Sequence, residues 1–283
     1  GGKDPCAMAG GYKEKDIVLS IAKKLGALIE KNYPDIKVIY TRKTDVFVEL
    51  HRRAAIANEN HADLFIAIHC NAARNRSARG TETYVMGLAK SEANLAIAKK
   101  ENAAILYEDN YEDHYGGYDP NSPESNIIFS LYQNAYMDQS INLAANVQKE
   151  FAARDHIDRG VKQASFLVLW KASTTSILIE TGFITNAEDR KYLTSQKGQN
   201  EVATDIFNAF SKYKHSIEAK NNNVSAPIVI REDVTEIQTN NNYNSNTNSS
   251  NNNSNTNTNY SSNTNSSSYS SNTSTAYDPD PGE

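Results

Sequence analysis

Cysteine is scarce in this sequence, with two in 283 residues. Two cannot build a disulfide framework, so burial has to hold the fold together. No apolar run approaches the roughly 18–20 residues that cross a bilayer, which argues against a membrane span. Positive charge is not in excess: 29 basic against 34 acidic residues leave a net charge of −5. A nucleic-acid partner is therefore not expected, since such binders show a basic stripe. There is no initiator methionine, no signal peptide and no strand ahead of Gly1-Gly2-Lys3-Asp4-Pro5, and the close, Asp278-Pro279-Asp280-Pro281-Gly282-Glu283, reads as a linker. Both ends are expected to be cut, so the missing leader is silent on secretion.

What is present divides sharply. From about Thr239 to Ala276 the chain is almost entirely Asn, Ser, Thr and scattered Tyr. Such a segment buries too little apolar surface to offset the roughly 1–2 kcal/mol per residue lost on ordering the backbone. Residues 220–283 are accordingly expected to form a disordered linker or tail, within which Ala226-Pro227-Ile228-Val229-Ile230 is either a docking strand or incidental. The folded body is residues 1–219, enough for one sizeable core.

Within the body, Ile17, Ile21, Leu25, Leu28 and Ile29 recur at three-to-four spacing and predict a helix over Lys13–Lys31. Ile36–Thr41 has the β-branched and aromatic content of a strand. Val48–Asn60 reads as a second amphipathic helix. Leu64–His69 is a short continuous apolar run, suited to a strand covered on both faces. Gly80–Met86, Ser165–Leu169 and Ser176–Glu180 read as further strands, and Ala187–Tyr192 and Glu201–Tyr213 as closing helices. The alternation predicts an α/β fold, a mostly parallel sheet with helices on both faces. Residues 90–153 break the rhythm, with helical patterns at Leu95–Leu106 and Ile127–Phe151 around an acidic loop, Tyr107–Glu124. A long excursion of this kind is either padding on one face or a lid over a site.

Polar residues that end apolar strands mark the place for chemistry. His69 closes one strand and Glu180 another, and in α/β sheets the carboxyl ends of strands form the binding crevice. Glu14, at the start of the first helix, faces the same edge. An imidazole and two carboxylates there suit a metal hydrolase that needs N and O ligands plus a base. On spacing alone a plainer reading stands beside it: Glu14 caps a helix, His69 is a hydrogen-bonded strand end, and Glu180 pairs with a cation.

Six segments in order then carry a resemblance: Gly1-Gly2-Lys3-Asp4-Pro5, Lys13-Glu14-Lys15-Asp16, Thr41-Arg42 with Asp45, Ile68-His69-Cys70-Asn71-Ala72, Ala78-Arg79-Gly80, and Ile179-Glu180-Thr181-Gly182-Phe183-Ile184-Thr185-Asn186. Together they resemble the zinc-dependent N-acetylmuramoyl-L-alanine amidases of the amidase-3 family, over about Gly1 to Tyr213. The resemblance implies that Glu14 and His69 hold Zn2+ and that Glu180 is the catalytic carboxylate. It also implies a third ligand, a His in a Gly-His-Gly-Gly turn, falling just before Gly1 and absent from this chain, which as given is expected to be poorly active or inactive. Asn71 is a candidate second-sphere or substrate contact. In periplasmic members a helical insertion covers the zinc cleft, and one of its acids blocks a zinc position until a partner displaces it. Glu101 is the expected blocking residue, with Glu108 and Glu124 as alternatives. Cys6 and Cys70 are read as space-filling.

The implied function is hydrolysis of the amide between N-acetylmuramic acid and L-alanine in peptidoglycan, for wall turnover and daughter-cell separation. The implied setting is the periplasm or cell envelope, and the implied partners are peptidoglycan and a protein activator. Two rivals remain: a non-catalytic peptidoglycan-binding module, and a zinc peptidase of similar fold.

Overall fold

The computed structural model describes residues 1–4, 6–116, 118, 122, 136–220 and 227–230. One compact unit runs from Gly1 to Glu232. It opens with a small hairpin, β1 (Met8–Ala9) and β2 (Tyr12–Lys13), that leads into α1 (Glu14–Asn32). After α2 (Leu50–Glu59) come β3 (Leu64–Asn71), β4 (Thr81–Met86) and α3 (Glu92–Asn102), which runs on into a 3-10 turn, Ala103–Tyr107. Then follow α4 (Tyr111–His114), α5 (Met137–Ala153), β5 (Asp158–Ala164), α6 (Leu167–Trp170), β6 (Thr175–Phe183), α7 (Ala187–Leu193) and α8 (Gln196–Lys220).

The main sheet has four strands in the order β3-β6-β4-β5; β3–β6 and β4–β5 are parallel and β4–β6 antiparallel. The chain is thus α/β with a mostly parallel sheet, as its pattern implies. Side-chain alternation along the strands sorts the core into two layers. Cys70, Val85, Ile177 and Ile179 point to one face and meet α1, α5 and α8 through Ile21, Leu143 and Phe207. Phe65, Ala67, Tyr84, Met86 and Leu178 point to the other and meet α2, α3 and α6 through Ala54, Ala98 and Leu167. β6, central, is buried along its whole length, whereas Leu64–Asn71, the continuous apolar run expected to be covered on both faces, mixes buried with half-buried positions.

Two strand expectations are corrected. Ile36–Thr41 forms no strand, because among the described residues no strand pairs with it. A cavity of about 1490 Å³, walled by residues of this segment and of β3, adjoins it instead. Ser165–Leu169 is not a strand either: the ladder is made by the more polar Asp158–Ala164, and Leu167–Trp170 is apolar because it is a buried helical turn. The 90–153 excursion does not act as one layer. α3 lies on the face of His69, while α5 packs into the opposite core. Residues 127–135 and most of the expected 220–283 tail lie outside the described residues. Pro227–Ile230 is described and is no strand: Asn208 brackets Ile230, its Nδ2 donating to the Ile230 carbonyl (3.1 Å) and its Oδ1 accepting the Ile230 N–H (2.9 Å).

Candidate metal centre

Glu14 is the first residue of α1, and its side chain turns back into the body instead of capping the helix in solvent. Its Oε2 accepts the Ala7 N–H (3.0 Å) and its Oε1 the Cys70 N–H (3.2 Å). The hairpin therefore closes on Glu14 and holds it against β3. That helix start is clamped from outside by the residues of the third quoted segment. Asp45 accepts from Lys15 Nζ (2.7 Å) and from the Gly2 N–H (2.7 Å), and Arg42 donates to the Lys15 carbonyl (2.7 Å).

His69 sits on β3 with its Nδ1 3.0 Å from Glu14 Oε1 and 3.0 Å from Glu101 Oε2. Glu101 comes from the last turn of α3, and Lys100 Nζ donates to its other oxygen (3.1 Å). One ligand atom from each of Glu14, His69 and Glu101 lies within 4.8 Å of the others. Donors at tetrahedral zinc distances are spaced by about 3.3 Å, so one imidazole and two carboxylates at this separation fit the ion. The chemistry of the set fits as well, since His N and Glu O are ordinary zinc ligands.

Burial would drive the His69 imidazole toward neutrality, but the Glu101 charge and hydrogen bond, with those of Glu14, overcome it and push its pKa up to about 10. Burial acts on Glu101 in the raising direction, and His69 and Lys100 together hold it well below the usual carboxylate range.

Glu180 lies beside His69, the two being paired in register across β3–β6. It is fully buried, and among the described residues neither carboxylate oxygen has a hydrogen-bond partner. Burial, and then the Glu101 charge, raise its proton affinity well above normal. A buried carboxyl without a partner is costly unless something uses it, because such groups are nearly always satisfied. The structure thus brings Glu14, His69, Glu101 and Glu180 to one place on the α3 side of the sheet.

The other sequence-derived candidates lie elsewhere. Asn71 is buried, but it donates to Glu82 Oε1 (2.7 Å) and accepts the Ala72 N–H (2.7 Å). Glu108 is held at the start of α2, accepting the Leu50 N–H (2.6 Å) and facing His51 and Tyr115. Glu124 lies outside the described residues. Cys70 is buried beside Thr181, its thiol pushed well up by burial, while Cys6 is half-buried and raised to about 12, mainly by burial.

Sequence reasoning missed Glu82, Arg159 and Lys162. Glu82 stands opposite Glu180 across β4–β6 and is fully buried. It accepts from Asn71 and Tyr84 (3.0 Å), from Arg159 Nε (2.9 Å) and from Lys162 Nζ. Its signal was the acid inside the alternating Gly80–Met86 run.

A family model described as N-acetylmuramoyl-L-alanine amidase matches residues 1–212. The chain is similar to the N-acetylmuramoyl-L-alanine amidase AmiC of Escherichia coli O6:H1, 34% identical over 224 residues, covering 75% of this chain and 50% of that protein. AmiA of Salmonella typhimurium is 31% identical over 220 residues, covering 76% and 73%. The chain spans about half the length of the AmiC relatives it matches. Among solved structures, an N-acetylmuramoyl-L-alanine amidase from Clostridium difficile 630 superposes with a TM-score of 0.57 at 28% identity, covering 76% of this chain and 92% of that one. AmiC2 of Nostoc punctiforme gives 0.52 at 29% identity, with coverage of 76% and 92%.

Proposed function

This chain belongs to the N-acetylmuramoyl-L-alanine amidase family, and from that premise we propose that it hydrolyses the amide between N-acetylmuramic acid and L-alanine in peptidoglycan, in the cell envelope, in wall turnover and daughter-cell separation. The observation that carries the reading is the convergence of Glu14, His69 and Glu101 within 4.8 Å beside a buried, unpartnered Glu180. Glu14 and His69 would hold zinc. Glu101 stands in this state as the blocking acid.

Bound there, zinc supplies Lewis acidity that brings water into the nucleophilic range near neutral pH and polarises the amide carbonyl. Amides resist hydrolysis because water is a weak nucleophile and an amine leaves poorly. Glu180 addresses both difficulties. Its carboxylate accepts a proton from the attacking water, and the resulting acid returns that proton to the alanine nitrogen as the C–N bond breaks. The apolar surroundings of β6 keep bulk water from competing for that proton. Asn71 acts at one remove, through the Glu82 carboxylate that faces Glu180 across the strands.

α3 carries the control. While Glu101 lies against His69, a ligand position and the approach to Glu180 are both filled. A protein activator that draws α3 aside would free them.

The test is digestion of purified muropeptides by the zinc-loaded full-length protein. Free stem peptides with an intact glycan are the expected products. Retention on peptidoglycan without products would favour a binding module instead, and release of amino acids with the muramoyl–alanine bond whole would favour a peptidase.

A further inference from the structure

α3 brings two charges to the metal centre, and the amidase reading uses one of them. Lys100 precedes Glu101 on the helix, and adjacent positions on a helix do not face each other. Lys100 Nζ nevertheless donates to Glu101 Oε1 (3.1 Å), so its four-carbon stem folds across the helix toward the centre instead of running out into water. The other oxygen of Glu101, Oε2, lies 3.0 Å from His69 Nδ1. One carboxylate thus joins the ammonium to the imidazole.

The plain reading is a pair of surface neighbours with little consequence, since exposed ion pairs are worth about 0–1 kcal/mol. What surrounds the ammonium argues against it. Lys100 lines the same cleft as Glu14, His69 and Glu101. After Glu101, the charges that its ammonium meets are those of Glu180 on β6 and Glu14 on α1, so acids from three elements face it. Among the described residues neither an arginine nor another lysine pairs with any of those three acids. The Lys100 side chain is 37% exposed, so water damps these attractions without removing them.

Lys100 therefore supplies positive charge to a carboxylate cluster, which is also what a bound metal ion supplies. An ammonium and a divalent cation drawn to the same carboxylates repel each other at short range. A donor and a rival arrive on adjacent residues of one helix: Glu101 offers the centre a ligand oxygen, and Lys100 offers the charge that the ion itself would bring.

We propose that Lys100 is a positioning residue of the closed state, holding the Glu101 carboxylate in place and lowering, through its own charge, the affinity of the centre for zinc. The inference rests on the amidase reading for the identity of the ion. It adds that docking of α3 governs metal loading as well as access to the site.

The experiment titrates Zn2+ into the metal-free full-length protein by calorimetry with a competing chelator, for the wild type, Lys100→Met, Lys100→Arg and Glu101→Ala. Lys100→Met keeps an unbranched apolar side chain without the charge, and it should bind Zn2+ about fivefold more tightly than wild type. Lys100→Arg keeps the charge and should stay within about twofold of wild type. Glu101→Ala should move the other way, toward weaker binding, because it removes a donor. The opposed signs single out the charge: a lysine that merely anchored α3 would, once replaced, leave affinity unchanged or shift it in the direction of Glu101→Ala. Unchanged or weaker Zn2+ binding by Lys100→Met, or a gain that Lys100→Arg shares, overturns the proposal. Tighter binding by Lys100→Met in a protein that releases no stem peptide from muropeptides would leave the proposal standing and remove the amidase reading. Hydrolysis of muropeptides with no effect of Lys100→Met on Zn2+ affinity would do the reverse.

Discussion

Glu82 and Glu180 face each other across the antiparallel pair β4–β6, and the fold treats them in opposite ways. Glu82 is bonded to Asn71, Tyr84, Arg159 and Lys162, whereas among the described residues both oxygens of Glu180 are bare. Like charges directly opposite on neighbouring strands repel. Matching one carboxylate with cations and burying the other without a partner removes the conflict. It also leaves Glu180 as the member of the pair whose oxygens are free to take up a proton.

If Glu180 moves that proton, Glu180→Gln removes the transfer while keeping volume and leaving the proposed zinc ligands in place. Turnover of muropeptides by the full-length protein should fall by about 10²–10⁴-fold, the usual worth of general acid–base catalysis. Zinc affinity, read by calorimetry, should change little. A variant that hydrolyses at the wild-type rate would remove Glu180 from the mechanism.

Glu82 has a structural duty that can be measured without substrate. Glu82→Ala strands two cations and two buried polar groups, and breaking a buried ion pair from one side costs about 3–5 kcal/mol. Glu82→Gln keeps acceptors for Asn71 and Tyr84 and should cost less. Urea denaturation should place the variants in that order; equal stabilities would show that solvent, not Glu82, satisfies the cations.

The sequence carried the skeleton of this site better than its surroundings. The apolar runs ending in His69 and Glu180 were visible because a doubly covered strand must be apolar until it reaches the crevice. Their register depends on β6 pairing with a strand more than a hundred residues away, which no local pattern encodes. Ser165–Leu169 reads as a strand because a buried helical turn, here Leu167–Trp170, and a buried strand look alike over four apolar residues. Ile36–Thr41 has strand chemistry, but a strand also needs a partner, and partnership is not a local property. Arg159 and Lys162 escaped notice because only the Gly160 bulge brings them to one face. Asp45 and Arg42 were legible as part of a family pattern, and the structure adds their physical task of clamping the start of α1.

That clamp is sensitive to acid. Hydrogen bonds from Lys15 and from the Gly2 N–H hold the Asp45 carboxyl down at about 2, below its ordinary 3.8. A depressed carboxylate contributes stability above its unfolded pKa and loses it as pH falls through the folded value. The contribution should therefore be present at pH 5 and above and fade between about pH 4 and pH 2. Comparing the Tm of wild type and Asp45→Asn across this range tests it. The variant should melt lower at pH 6 and converge with wild type near pH 2, and a gap that is constant with pH would show that the carboxylate charge is not what matters.

The hold of α3 on the body decides whether Glu101 can act as a removable block. The helix buries Asn94, Ala98 and Asn102, a thin apolar contribution. Much of its grip comes from Asn102, which donates to the Ser165 carbonyl (2.8 Å) and accepts the Leu167 N–H (2.9 Å). Polar contacts of this kind are replaceable by a partner or by water at modest cost, since the net worth of a hydrogen bond is about 0.5–1.5 kcal/mol. Glu101 by contrast meets His69 directly, so on the proposed reading its charge is what would close the site. Glu101→Ala should raise basal hydrolysis of muropeptides at saturating zinc by about tenfold or more, in the range of ordinary coupling energies. The same change should weaken zinc binding, because one of three donors is gone. Asn102→Ala should raise basal hydrolysis less, by loosening α3 while the acid remains. If Glu101→Ala leaves the rate where it was, Glu101 is a charge packed near the site and not its gate.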